Sequence, residues 1–347
     1  MLSVGFVAPV NGVQPNMPNE ISCEAELLLY KFEQRLMEFE PIAPRVEVQI
    51  PEGGLQSLLG DARPIDTSHL ETMYRYDAMG YRYTVLTDEA MEVLLEDIRR
   101  YVYESITPEF EALAQALGDE VRFMTAQANA HWDRVVSEMA PEFARLGLEI
   151  QPMNLGNNVY LNTLHQMTAA LYSRVDGLSN WEVTEKWFQG GLSATEAVRL
   201  FPTNTQRPRE QDAFRHFAWN HRLARQLGTA RARIASNNLE YSDLVVRFHR
   251  LPHRTDAEAL QSRWAITSIA MQSLANFNSM FGDDHVMDFW NNRAGVDSMN
   301  SALQTSFQTA WNNNRLIRQG IDTYVTAARR ADMYWSGWWR HPSLQPV

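Results

Sequence analysis

Apolar residues spaced three and four apart recur along almost the whole chain, and no other pattern of comparable length competes with them. From Ile21 to Glu40 they fall at Ala25, Leu28, Leu29, Phe32, Leu36 and Phe39, a stripe that an α-helix turns to one side. From Thr87 the run Thr-Asp-Glu-Ala, with acids where the helix dipole favours them, leads into Met91, Leu94, Leu95, Ile98 and Val102. The same spacing predicts helices at about 107–117, 119–147 with a kink near Pro141, 158–175, 180–189, 193–200, 209–227, 229–237, 255–281, 283–294, 296–318 and 319–335. Period-two alternation is confined to Arg45–Pro51 and Tyr81–Leu86. The expectation is a mainly α, multi-helix globular protein with at most a small β-ribbon in its N-terminal region. A hydrophobic share of 45% supplies a core, and no run approaches the ~20 apolar residues of a membrane-spanning helix, so a soluble chain is expected.

Charge divides the chain. Residues 1–150 carry 11 basic and 26 acidic side chains, and residues 151–347 carry 20 and 16. Seven of the nine His and nine of the ten Trp follow residue 150, which places any chemistry in the second region. We therefore expect an acidic helical region at 1–150 serving delivery, docking or regulation, and a helical domain at 151–347 carrying the site, with the boundary near Leu155-Gly156-Asn157-Asn158. A second break, Phe201-Pro202 through Pro208, reads as a loop that positions the helix that follows it. Neither region has the concentrated basic face that nucleic acid requires. Cys23 stands alone, which excludes an intramolecular disulfide and a multi-Cys zinc site. Lys31 and Lys186 are the only lysines beside 29 Arg, a bias that fits high-GC coding or avoidance of amine modification in a foreign cytosol. The apolar start lacks the basic residues and cleavage site of a Sec signal, so secretion by a non-Sec route, or a cytoplasmic location before delivery, is expected.

Two helices carry the chemistry. In Gln211–His221, helical spacing puts Asp212, His216, Trp219 and Asn220 on one face with Arg215 beside them. In Phe281–Gly295, His285, Asp288 and Asn292 share a face with Asn291 just to one side. Such stripes are costly to bury unless their members bond each other, a metal or a substrate. Asp212, His216, His285 and Asp288 could ligate a divalent ion, or one His could act as general base with an Asp fixing its tautomer. No G-x-S-x-G elbow is present, so water is the expected nucleophile. Asn291 and Asn292 are poor zinc ligands and Arg215 repels a cation, which tilts the reading towards a metal-free site in which Arg215 and the Asn pair hold an anionic group; a divalent metal is the other option.

The runs Asp-Ala-Phe-Arg-His-Phe-Ala-Trp-Asn at 212–220 and Met-Asp-Phe-Trp-Asn-Asn-Arg-Ala-Gly at 287–295 resemble a bacterial domain of unassigned chemistry, found at the C-terminal end of secreted or toxin-like proteins. The resemblance spans roughly residues 205–300. It implies that Asp212, Arg215, His216, Trp219, Asp288, Asn291, Asn292 and Gly295 form one site. The interval between the motifs holds His249 and His253 instead of the His-Glu pair common in that family.

The expected function is a water-using hydrolase delivered as a bacterial effector or antibacterial toxin, a virulence factor with phospholipid as the leading substrate class. His216, Asp288, Asp212 and His285 are the expected catalytic groups, and Arg215, Trp219, Asn220, Asn291 and Asn292 hold a lipid or other small anionic substrate. A chaperone or immunity protein is a candidate partner. The aromatic tail Met333–His341 would cap the core or anchor at a lipid interface. The competing expectation is a non-catalytic interaction or structural protein of a secretion system whose polar stripes form a buried network.

Overall fold

The computed structural model of the chain describes residues 23–42, 48, 50, 65–148, 150, 159–201, 208–248, 251–321 and 323–340. The expected boundary at 155–158, the break at 202–207, His249 and most of the expected strand Arg45–Pro51 lie outside these residues.

Among the described residues the fold is mainly α with one two-stranded antiparallel ribbon. In chain order the elements are α1 (Cys23–Met37), β1 (Thr72–Tyr76), β2 (Arg82–Leu86), α2 (Asp88–Ser105), α3 (Pro108–Arg145), α4 (Val159–Val175), α5 (Asn180–Leu200) and α6 (Pro208–Leu227). They continue with α7 (Thr229–Asp243), a π-helical turn at Leu244–Phe248, α8 (Asp256–Gln272), α9 (Leu274–Met280), α10 (Asp283–Asp297), α11 (Leu303–Asn312) and α12 (Ala327–Ser336).

Local chemistry explains where expected boundaries moved. The helices expected at 107–117 and 119–147 are one helix, α3, started by the Thr107 hydroxyl, which accepts from the Phe110 N–H. Gly118 is inside it because the Asp256 carboxylate, held by Arg122 at 3.0 Å, occupies the space a Cβ would need. Similarly, α5 runs unbroken through Gly190-Gly191, and the Trp132 ring packs where Gly191 would carry a side chain. The segment 255–281 instead divides at Ser273, whose extended backbone ends α8 and whose hydroxyl caps α9 at Asn276. Of 296–318, Val296 and Asp297 finish α10 and Leu303–Asn312 form α11, after a turn closed by Ser298, Ser301 and Ser306.

The ribbon pairs Thr72 with Leu86 through Tyr76 with Arg82. Asp77 makes its turn, accepting from the N–H groups of Met79 and Tyr81, with Gly80 at φ 81°. β1 is exposed on both faces, so it lacks the alternation that marks β2.

Three hydrophobic clusters make the core. The largest joins α2 and the first half of α3 to α7–α10 and α12, the second joins α1 and the rest of α3 to α5 and α6, and the third gathers Phe201, Phe214, Phe217, Phe307 and Trp311. Both larger clusters draw side chains from either side of residue 150. The C-terminal aromatics cap the largest one: Trp339 is fully buried against Phe277 and Phe281, while Arg233 and Asn237 hold the Trp338 carbonyl at 2.6 and 2.8 Å. Trp335, 72% exposed, faces outward. No helix among the described residues is long and apolar enough to cross a membrane. At the centre α6 packs on α5, α7 and α10, which brings the two motif helices together.

Candidate active site

The glycine that ends the second motif sets the spacing of the site. A Cβ on Gly295 would collide with the Phe217 carbonyl oxygen of α6 and crowd Asn220 and His221, so α10 approaches α6 this closely only with glycine there. One and two turns earlier on α10, Asn292 and Asp288 face His216.

His216 is 4% exposed. Its Nδ1 lies 3.0 Å from Asn292 Oδ1, an atom that can only accept. The Asn292 amide is oriented by its neighbours: its Nδ2 donates to Glu240 Oε1 at 3.3 Å and its Oδ1 also accepts from Asn220 Nδ2 at 2.6 Å. The proton of a neutral His216 therefore resides on Nδ1. Its Nε2 lone pair faces Asp288 Oδ1 at 3.3 Å and Asp212 Oδ1 at 3.7 Å. Arg215 Nη2 donates to the same Nε2 at 3.1 Å and to Asp212 Oδ1. Asp288 Oδ1 is buried and receives no hydrogen bond. Among the described residues, Asp212, His216 and Asp288 form the group whose metal-ligating atoms converge, all within 4.8 Å of one another.

Charge is crowded here. Burial, with Arg215 alongside and against the pull of Asp212, pushes the His216 imidazole down to about 4, so it is neutral at ordinary pH. Burial and the nearby Asp243 charge push the Glu240 carboxyl up to about 8. Burial, then Glu240 and Asp212, hold Asp288 well above the usual carboxylate range. Burial acts upwards on Asp212 too, but Arg215 and His216 outweigh it and keep that carboxyl low. The site thus pairs one readily ionised carboxyl with two that hold their protons more tightly than an ordinary carboxyl does.

Two expected members lie elsewhere. His285 is buried on α10, but its Nε2 is 3.7 Å from Asp243 Oδ2, and Asp243 Oδ1 is 3.0 Å from His165 Nδ1, which makes a neighbouring His-Asp-His cluster across α4, α7 and α10. Asn291 exchanges both amide atoms with the Ile317 backbone at 3.0 and 2.9 Å and tethers that segment. Trp219 lines a cavity with Arg215 and His216, its indole N–H donating to the Lys186 carbonyl at 3.0 Å. Ala169, Trp187 and Leu239 supply further apolar lining.

Glu240, Asp243, His165 and Lys186 are site or near-site residues that the motifs do not reveal. The signal for α7 is the run Ser236-Asn237-Asn238, Glu240, in which every residue is polar yet buried. For Lys186 it is rarity, one of two lysines in the chain. Comparisons of the chain with protein families, with curated proteins and with solved structures found no match.

Proposed function

We propose that the chain is a hydrolase of the bacterial effector or toxin class that cleaves an ester bond in phospholipid. The observation that carries this reading is the junction of His216 Nε2 with two carboxylate oxygens, beside a cavity that His216 itself lines together with Arg215 and apolar side chains. A cation beside an apolar lining suits a substrate with an anionic group next to a hydrocarbon part. Water at the junction is oriented by its acceptor atoms, its oxygen is left to attack the ester, and its proton passes through the buried carboxylates to the leaving oxygen. Exposed Trp335 and the ribbon's Tyr74, Tyr76 and Tyr81, all more than half exposed, are suited to a lipid interface. The acidic region 1–150 then serves delivery or the docking of a chaperone or immunity protein.

Purified protein incubated with phosphatidylcholine–phosphatidylglycerol vesicles should release fatty acid, lysolipid or headgroup. His216→Asn and Asp288→Asn should lower that rate at least about a hundredfold with melting temperatures close to wild type. Intact lipid, or full activity in His216→Asn, would overturn the reading. The hydrogen bonds that link His216, Asn292, Asn220 and Glu240 favour one alternative, a purely structural clamp in an interaction protein. In that case both substitutions lower the melting temperature and no lipid is cleaved.

A further inference from the structure

The atoms that meet at the α6–α10 junction are arranged as metal ligands. We propose that Asp212, His216 and Asp288 bind one divalent cation of the zinc type, and that the ion displaces the Arg215 guanidinium towards the cavity. The role of such an ion in hydrolysis rests on the reading above; its binding rests on the geometry alone.

Four observations support the site. The first is spacing. Ligands about 2.0–2.1 Å from a tetrahedral ion stand about 3.3–3.4 Å apart, and His216 Nε2 is 3.3 Å from Asp288 Oδ1 and 3.7 Å from Asp212 Oδ1. The second is the tautomer. Asn292 holds the proton on Nδ1, which leaves the Nε2 lone pair pointing at carboxylate lone pairs, an arrangement that needs a cation or a proton between them. A second partner on the far nitrogen is also what orients a ligating imidazole. The third is Asp288 Oδ1, a buried oxygen turned into the junction with no hydrogen bond to it. The fourth is convergence: Asp212 and Asp288 both present a carboxyl oxygen to His216 Nε2, and the Arg215 guanidinium is the cationic group that touches this junction.

Arg215 identifies where the ion would sit, because its Nη2 bridges Asp212 Oδ1 and His216 Nε2 as a cation would. The side chain is half-buried and already lines the cavity, so it has a place to go. There it would face the anionic group of a substrate. One imidazole and two carboxylates suit Zn²⁺ or Mn²⁺ better than Mg²⁺ or Ca²⁺, and three protein ligands leave a position open for water.

The test is calorimetric titration of the chelator-treated full chain with Zn²⁺, and separately with Mn²⁺ and Mg²⁺. Wild type should bind one Zn²⁺ per chain. His216→Asn and Asp288→Asn should weaken binding at least about a hundredfold, and Asn292→Ala about 10–100-fold through loss of the imidazole's orientation. Arg215→Ala removes the competing cation and should bind Zn²⁺ as tightly as wild type or more so. Circular dichroism melts identify any variant that fails to fold, and Arg215→Ala tests the site even if both ligand variants do. Absence of stoichiometric binding in both wild type and Arg215→Ala, or unchanged affinity in a folded His216→Asn, would overturn the inference. Vesicle hydrolysis in excess chelator separates the two ideas: His216-dependent cleavage without metal would sink the ion and keep the hydrolase, and stoichiometric binding without cleavage would do the reverse.

Discussion

Lys186 is a buried amine whose charge is costly to keep, and replacing it with methionine should stabilise the protein. The side chain is 2% exposed on α5, and its Nζ has two neutral partners, the Ala169 carbonyl and the Ser173 hydroxyl, both at 3.4 Å. Burial pushes its pKa from 10.5 down to about 7, with Glu240 and Asp176 pulling the other way. At about 1.4 kcal/mol per unit, that difference amounts to a penalty of up to about 5 kcal/mol. Its pH dependence has a definite sign. Above pH 10.5 the amine is neutral in both folded and unfolded chains and costs nothing. As pH falls towards 7 the unfolded chain takes up a proton that the folded chain does not, so stability declines, and below 7 the whole penalty is present. Methionine matches the length of the alkyl stem and carries no charge, so Lys186→Met should gain about 2–5 kcal/mol at pH 6–7, less whatever packing it loses. The gain should shrink steadily between pH 7 and 10. Urea denaturation of both proteins at pH 6, 7, 8, 9 and 10 measures it. Equal stability at pH 7, or a gain independent of pH, would refute a buried amine held neutral by its surroundings.

Two further substitutions probe the junction. Gly295→Ala places a methyl against the Phe217 carbonyl and should destabilise the fold by about 1–3 kcal/mol while lowering vesicle hydrolysis, because it pushes Asn292 and Asp288 away from His216; an unchanged thermal midpoint would show that the helices can part without cost. Asn292→Ala removes the acceptor that fixes the His216 tautomer and should cut hydrolysis about 10–100-fold with a smaller change in melting temperature; retention of full activity would mean that the tautomer is set by another group.

The helix stripes were legible because burial of one face imposes its period on the residues regardless of partner. α1, α2, α4, α6 and α10 begin and end within a few residues of where the pattern puts them. So was the sharing of a face by Asp212, His216 and Asn220, and by Asp288 and Asn292, which depends only on 3.6 residues per turn. Glycine and serine misled where their meaning is tertiary. Gly118 and Gly191 look like breaks, yet each marks an approach by Asp256 or Trp132 from another helix, whereas Ser273 looks ordinary and caps a new one. β1 was silent because neither of its faces is buried.

What the sequence by itself determined is therefore periodic and local: a mainly α chain, the faces of its helices, and two polar stripes too costly to bury unpaired. What only the tertiary structure decided is which stripe atoms meet. Packing of α10 on α6 at Gly295 brings Asp288 to His216 and leaves His285, three residues earlier, beside Asp243. It also places Glu240 of α7 behind Asn292, where burial and a neighbouring charge keep its proton. A stripe specifies an angle around one helix axis, but distances between side chains on different helices depend on how closely the backbones can approach, and that is settled by contacts remote in the chain.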